Sequence, residues 1–269
     1  MDGAAEPDGA LRVERHGAVA TLVMERPAKR NAMTHEMWVQ LAERARAIAV
    51  EPDARVLVVR GAGEHFCAGA DIAGLAGVDI AAYQEANRDA ETALAAFPGP
   101  TIAAIRGSCV GGGVGIATAC DLRVADTSAR IGVTPARLGI VYPPSSLTRL
   151  VGILGPSATK HLLFSAELID AEPALRIGLL DEVHDVDRLD ERVSALARTM
   201  ATERSALTQV ATKEMVEAIV RTGAVSADLA VRWAAEAASA PDAAEGIAAF
   251  LERRHPTFTW RPRHTAVDD

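Results

Sequence analysis

The stretch Gly111-Gly112-Gly113-Val114-Gly115 follows the apolar segment Thr101-Ile102-Ala103-Ala104-Ile105, and a second small-residue stretch, Phe66-Cys67-Ala68-Gly69-Ala70-Asp71, follows Val56-Leu57-Val58-Val59. Small residues after a strand let the backbone approach a ligand closely, and a helix that begins there directs free N–H groups outward. Two such amides directed at one point form an oxyanion hole, which stabilises negative charge on a carbonyl oxygen. The pattern therefore predicts a site for carbonyl chemistry.

The composition restricts the class of protein. The chain of 269 residues is 49% hydrophobic and 24% charged, and it carries a net charge of −8, which is typical of a globular protein and argues against a general nucleic-acid surface. An anionic ligand would need a local basic cluster. Three cysteines without a CxxC pair, an acidic first segment and no apolar run near membrane-span length predict a soluble cytoplasmic protein. The histidines lack metal-ligand spacing, so no metal is expected.

The order of elements predicts an α/β core followed by helices. Strand and helix patterns alternate up to about residue 145, and helical periodicity continues almost throughout the rest. We expect a flexible tail at 1–9, a core at 10–203 and a helical C-terminal region at 204–269. The predicted helices are 35–49, 80–96, 146–153, 157–164, 171–177, 188–201, 206–221, 226–238 and 242–253.

Two known glycine motifs can be compared with this part of the sequence. The stretch does not match the dinucleotide pattern G-x-G-x-x-G, but Gly107-Ser108-Cys109-Val110-Gly111 matches a nucleophile elbow with cysteine in place of serine. Cys109 is thus the candidate nucleophile of a hydrolase, or a small buried thiol beneath a turn. The base of such a hydrolase would be one of His161, His184, His255 and His264.

Five segments in order carry a family resemblance: Arg26-Pro27-Ala28-Lys29-Arg30-Asn31-Ala32-Met33, Phe66 to Ile72, Ile105 to Leu122 with its glycine run, Gly178-Leu179-Leu180-Asp181-Glu182-Val183, and Glu245 to Arg254. On these segments the chain resembles the crotonase (enoyl-CoA hydratase/isomerase) superfamily over nearly its full length. The resemblance implies a spiral of ββα units with a helical C-terminal region that trimerises, as a homotrimer or homohexamer. It also implies an enzyme of fatty acid or acyl-CoA metabolism, with a coenzyme A thioester as substrate and no other cofactor.

The resemblance also assigns roles by position. The oxyanion-hole amides would be those of Ala68 and Gly112. The remaining positions would bind CoA: Ala70, Asp71 and Ile72 border the adenine and the pantetheine channel, Lys29 and Arg30 meet the phosphates, and Phe250 and Arg253 reach in from a neighbouring subunit.

Two positions depart from the pattern of typical hydratases, which use two glutamates. The corresponding residues here are Gly115 and Pro135, and neither transfers protons. Loss of an acid or base removes a factor of about 10² to 10⁴ in rate. A lyase (EC 4.-) that forms a thioester enolate by decarboxylation needs neither group, so we expect this reaction rather than ordinary hydration.

The segment from Thr134 to Tyr142 supports that expectation because it is similar to methylmalonyl-CoA decarboxylases. Tyr142 is the candidate that orients a carboxylate or relays a proton, or else it only shapes the pocket. The similarity is partial, since those enzymes keep a glutamate at the position of Gly115 and a histidine at that of Ala70.

Three alternatives stay open beside the decarboxylase. The first is a conventional hydratase/isomerase with a substitute acid, for which the candidates are Glu64, Asp79, Glu85 and Asp89. The second is a CoA-thioester binding protein without catalysis, and the third is the Cys109 hydrolase.

Overall fold

The computed structural model describes residues 9–75 and 79–262. Residues 1–8 of the predicted tail and 263–269 of the predicted C-terminal region, including His264, lie outside the described residues.

Within those residues the strands form one six-stranded and one three-stranded sheet. The strands are β1 (Ala10–His16), β2 (Val19–Glu25), β3 (Val56–Gly61), β4 (Thr101–Ile105), β5 (Ser108–Val110), β6 (Leu122–Asp126), β7 (Arg130–Gly132), β8 (Ile169–Asp170) and β9 (Glu182–His184). The larger sheet has the order β1-β2-β3-β4-β6-β9, with β1 antiparallel to β2 and parallel pairing from β2 onward. The smaller sheet has the order β5-β7-β8.

The helices pack on both faces of the larger sheet or follow it in the chain. They are α1 (His35–Ala49), α2 (Ile80–Ala95), α3 (Gly112–Ala119), α4 (Pro144–Ser165), α5 (Ala171–Arg176), α6 (Leu189–Thr202), α7 (Ala206–Thr222), α8 (Ala227–Ser239) and α9 (Asp242–Glu252). Since a parallel sheet covered on both faces must be apolar on both, β2, β3 and β4 are almost continuously buried. The predicted α/β class with a helical C-terminal region is confirmed.

Local sequence signals explain where the helices around the site begin and end. The Thr34 hydroxyl accepts a hydrogen bond from the Met37 amide at 3.2 Å and caps α1, and Asp79 accepts from Ala81 at 2.9 Å and caps α2. The two helices predicted at 146–153 and 157–164 form one element, α4, which is broken internally at Gly155, where φ is 71°. Proline at the next position cannot donate within the helix, which explains the break.

The packing of α6 divides the apolar residues into two layers. Leu189 and Val193 of α6 cover Val56, Ile102 and Val124 on one face of the larger sheet. Alternate residues of the same strands, such as Leu57 and Ala103, face the other layer, which contains α1, α2 and α3. No helix in the described parts of the chain is both long and apolar enough to cross a membrane.

Candidate functional site

The two small-residue stretches lie side by side. Phe66 donates its amide to the Arg106 carbonyl at 2.8 Å, Cys67 donates to Ser108 at 2.8 Å, and Val110 donates back to Cys67 at 2.9 Å. Cys67 and Cys109 thus pair as in a parallel sheet. Beyond this pairing both segments turn through glycines of positive φ, Gly69 at 93° and Gly111 at 56°. The pairing explains why segments forty residues apart in sequence meet at one place.

The backbone amides from Cys67 to Asp71 are all paired except one. Their acceptors are Ser108 O for Cys67 (2.8 Å), Arg30 O for Ala68 (2.9 Å), Cys67 Sγ for Gly69 (3.4 Å) and Met33 O for Asp71 (2.9 Å). The Ala70 amide has no acceptor among the described residues. Because nearly all buried backbone amides in proteins are paired, a free amide beside a cavity marks a binding position.

The prediction that Ala68 supplies a free amide is therefore corrected. Its N–H is used by the Arg30 carbonyl, which belongs to the loop that follows β2. Ala70, two residues later, has the free amide instead. Residue identities carry no signal for this difference, because the acceptor of the Ala68 amide comes from another segment.

Gly112 supplies the second free amide. It is the first residue of α3, where an N–H has no partner within the helix, and none is found elsewhere in residues 9–75 and 79–262. A methyl carbon built on Gly112 would lie 3.7 Å from the Ala70 nitrogen and 3.0 Å from Trp38 Cζ2, and one built on Gly69 would lie 3.3 Å from the Gly112 nitrogen. The Ala70 and Gly112 amides therefore border one small space.

That space opens into a cavity of about 410 Å³. Ala68, Ala70 and Gly112 line it, together with Tyr142 and Pro135. Much of the remaining lining is apolar, and the residues concerned are Trp38, Ile72, Ile80, Val110, Leu138, Ile140, Val141 and Pro143. Tyr83 also lines the cavity, whereas Phe97 is fully buried in the core.

Tyr142 is half-buried, and its hydroxyl donates to the Gly111 carbonyl at 3.3 Å. Loss of hydration, reinforced by the nearby Glu91 carboxylate, raises the pKa of the Tyr142 phenol. The neutral phenol thus holds the turn that precedes α3. Its predicted role toward a substrate carboxylate stays a prediction.

Glu91 of α2 is a site residue that the sequence analysis missed. It is 1% exposed and lines the cavity. Ser146 Oγ lies 2.9 and 2.8 Å from its two oxygens, and Arg149 Nη1 donates to Oε2 at 2.7 Å. Burial raises the pKa of Glu91, while the hydrogen bond from Ser146 and the charge of Arg149 oppose that shift. A signal was present, since Tyr83, Asn87, Ala90, Glu91 and Leu94 share the buried face of α2.

The four acidic residues that the sequence offered as substitute catalytic acids lie outside the cavity. Asp79 caps α2, Asp89 forms an ion pair with Arg46, Glu85 pairs with Arg88, and Glu64 is exposed. None of them lines the cavity. The resemblance expects glutamates at two positions, of which Gly115 lies buried within α3 and Pro135 begins a short 3₁₀ turn at the cavity wall.

The predicted CoA-binding residues lie in different parts of the structure. Ala70 and Ile72 line the cavity, whereas the Asp71 carboxylate accepts from Arg26 Nη1 at 2.9 Å and holds the loop. Lys29 and Arg30 are exposed beside that loop and do not line the cavity. The other two residues lie at the end of the last helix, where Phe250 is 82% exposed and Arg253 ends α9 with a φ of 55°. The CoA contacts predicted for these residues stay predictions.

Cys109 lies in the core rather than at the cavity. It is 1% exposed and does not line the cavity, and burial raises its thiol pKa well above the ordinary value. Of the candidate bases, His161 is exposed, His184 contacts Glu182 at 2.7 Å, and His255 is exposed near Glu203. A buried neutral thiol with no base beside it is not a nucleophile, so the geometry of the described residues argues against the hydrolase interpretation.

No group of three or more histidine, cysteine, aspartate or glutamate side chains in the described regions is arranged to hold a metal ion. The cavity presents the two free amides, the Tyr83 and Tyr142 phenols and the Glu91 carboxylate.

Comparison with known proteins adds independent information. The family profile described as enoyl-CoA hydratase/isomerase matches residues 14–261. The 2,3-dehydroadipyl-CoA hydratase of Escherichia coli is 34% identical over 254 residues, covering 93% of this chain and 99% of that protein. The crotonyl-CoA hydratase of Syntrophomonas wolfei is 30% identical over 255 residues, covering 91% and 96%. The crystal structure of an enoyl-CoA hydratase/carnithine racemase from Magnetospirillum magneticum superposes with a TM-score of 0.89 at 31% identity, covering 94% and 97%.

Proposed function

The chain belongs to the enoyl-CoA hydratase/isomerase family, whose profile covers residues 14–261, and on that premise we propose that it converts acyl-CoA thioesters by conventional hydratase or isomerase chemistry. The observation that carries the proposal is the pair of free amides at Ala70 and Gly112 beside an apolar cavity. A thioester oxygen between these amides would receive two hydrogen bonds. Both bonds strengthen as negative charge develops on that oxygen in the enolate.

The relatives support this interpretation better than they support decarboxylation. Two of the relatives reported above are hydratases of CoA thioesters by name. The cavity itself also favours proton transfer. A malonyl-type substrate would bring a second carboxylate beside Glu91, while no lysine or arginine lines the cavity among the described residues. Since like charges at close range repel strongly in a water-poor site, decarboxylation is the weaker candidate.

The CoA part of the substrate would need its own binding residues outside the cavity. Lys29 and Arg30 are exposed on the loop whose Arg30 carbonyl pairs with Ala68 of the cavity wall, and their charges suit the CoA phosphates. Phe250 and Arg253 would contribute only from a second copy of the chain, in a trimer or hexamer. Both assignments belong to the proposal.

The test is incubation of the protein with crotonyl-CoA, a 3-enoyl-CoA, methylmalonyl-CoA and acetoacetyl-CoA, with products identified by mass spectrometry. We expect crotonyl-CoA to gain one water or the 3-enoyl-CoA to become its 2-enoyl isomer. Loss of CO₂ from methylmalonyl-CoA as the only reaction would favour the decarboxylase. Tight binding of all four thioesters without any product would favour a non-catalytic binding protein.

Replacement of Cys109 by alanine is expected to leave kcat and KM within about twofold, because the thiol lies outside the cavity. The change removes one buried sulfur and lowers the free energy of unfolding by about 1 kcal/mol. Steady-state kinetics and urea unfolding check both values. Complete loss of turnover in a folded C109A variant would instead support the interpretation of Cys109 as the nucleophile of a hydrolase.

A further inference from the structure

Gly115 and Glu91 fit together across the interface of α3 and α2. A methyl carbon built on Gly115 would overlap Glu91 Oε1 and lie 3.1 Å from Glu91 Cδ. The carboxylate therefore fills the space that any side chain at position 115 would need. Only glycine at this position lets the Glu91 carboxylate lie against α3.

This placement puts the carboxylate close to the two amides. Gly115 follows Gly112 by three residues on α3, so it lies on the same side of the helix and about 5 Å along the axis. A thioester whose oxygen is held at the Gly112 amide would place its α- and β-carbons in the cavity that Glu91 also lines. Glu91 is the only carboxylate that lines the cavity in the described segments.

We propose that Glu91 is the catalytic proton carrier of this site, supplied by α2 in place of a carboxylate on α3. The inference rests on the proposed acyl-CoA function. Ser146 and Arg149 are positioning residues, because their hydrogen bonds orient the carboxylate from the side of α4. Oε1 lies against Gly115 and accepts only from Ser146 among the described residues.

One carboxylate suffices to balance either reaction. In hydration, ionised Glu91 takes a proton from water as the water oxygen bonds to C3, and the C2=C3 π electrons move onto the thioester oxygen between the two amides. Protonated Glu91 then delivers that proton to C2 as the carbonyl reforms. In isomerisation of a 3-enoyl-CoA, Glu91 takes a proton from C2 and returns it to C4, and the carboxylate is regenerated.

Stability alone does not account for the burial of this carboxylate. Burying an ion pair costs several kcal/mol of hydration, and a well-packed apolar pair of similar volume is often as stable. Arg149 is also partly exposed, with 22% of its side chain accessible, and would remain hydrated without Glu91. A carboxylate 1% exposed beside free amides fits chemistry better than structural support.

The pH dependence follows from the groups that face Glu91. These are Ser146 and Arg149 on α4 and the Tyr142 phenol before it, while α3 carries no titratable side chain. Burial raises the pKa of Glu91. As the pH falls, its carboxylate therefore becomes protonated at a higher pH than that of an ordinary glutamate. We expect kcat/KM to rise with pH through that raised pKa, and the residual activity of an E91Q variant to lack this limb.

The experiment removes the carboxylate from α2 and places a new one on α3. Glu91→Gln is expected to lower kcat by about 10²- to 10⁴-fold, while acyl-CoA affinity, measured by calorimetry, stays within about threefold. Glu91→Ala is expected to lower kcat by a similar factor. The double variant Glu91→Ala with Gly115→Glu, in which the alanine clears space for the new side chain, is expected to regain at least tenfold over E91A. Glu182→Gln is the matched control, since Glu182 also accepts from an arginine, Arg192, but lies outside the cavity.

The outcomes separate the two proposals. An E91Q variant that keeps full kcat and the wild-type pH limb overturns the role of Glu91 and leaves the proposed function intact. A wild-type protein that binds acyl-CoA but converts none of them overturns both. If E91Q or E91A fails to fold by circular dichroism, the wild-type pH profile decides, and a profile without an ascending limb overturns the inference.

Discussion

Replacing the Ala70 amide by an ester is expected to lower kcat by about 10²- to 10³-fold, the effect of removing one donor from an oxyanion hole. The exchange of alanine for lactic acid, introduced by nonsense suppression, removes the N–H and keeps the methyl side chain. It removes no hydrogen bond within the described residues, because this amide has no acceptor there, although the ester makes the Gly69 carbonyl a weaker acceptor for the Met33 amide at 2.8 Å. The loss should appear in kcat and kcat/KM together, since the bond is made most strongly in the transition state.

The same exchange at Ala68 is the matched control. It removes the hydrogen bond to the Arg30 carbonyl, so it is expected to lower the free energy of unfolding by about 1 kcal/mol and to change kcat by less than about threefold. A large loss of kcat at position 68 with none at position 70 would reverse the assignment of the two amides.

Replacing Asn31 by glycine is expected to lower the free energy of unfolding by about 3 kcal/mol or more. The Asn31 side chain is fully buried and holds three backbone groups that shape the loops behind the site. Its Oδ1 accepts from the Arg26 amide at 2.9 Å, and its Nδ2 donates to the carbonyls of Ala62 at 2.9 Å and His65 at 2.6 Å. Leaving buried backbone groups without partners costs about 1 to 3 kcal/mol each.

A second substitution separates the lost hydrogen bonds from backbone strain. Asn31 has a φ of 56°, a conformation that costs alanine about 1 kcal/mol more than glycine. We therefore expect Asn31→Ala to be less stable than Asn31→Gly by about that amount, as measured by urea unfolding at pH 7. A loss below about 1 kcal/mol for Asn31→Gly would show that the side chain does not hold these loops.

Much of the fold could be predicted from periodicity. The helix predicted at 35–49 agrees with α1, and the helix predicted at 80–96 agrees with α2 to within one residue. Apolar residues at helical spacing fix such elements locally. The short strands β5, β8 and β9 were not predicted, because two or three residues are too few to show alternation.

The site could be predicted only in part. The meeting of the two small-residue stretches followed from their positions after strands. Gly112 has a free amide at the start of α3, and its role in an oxyanion hole stays a prediction. The choice between Ala68 and Ala70 depends on the Arg30 carbonyl, which tertiary pairing brings into place. Glu91 was missed because its partners Gly115, Ser146 and Arg149 lie on other helices. In sequence it looks like an ordinary helix charge unless the buried face of α2 is counted.

The central claim is that the Ala70 and Gly112 amides polarise a thioester carbonyl in this cavity. Infrared difference spectroscopy of crotonyl-CoA with a ¹³C-labelled carbonyl measures that polarisation directly on the bound ligand. We predict that the carbonyl stretch moves to lower frequency on binding, and that most of the shift disappears in Gly112→Ala, whose methyl would lie 3.7 Å from the Ala70 nitrogen. A bound ligand whose carbonyl stretch matches that of the free thioester in water would contradict the claim.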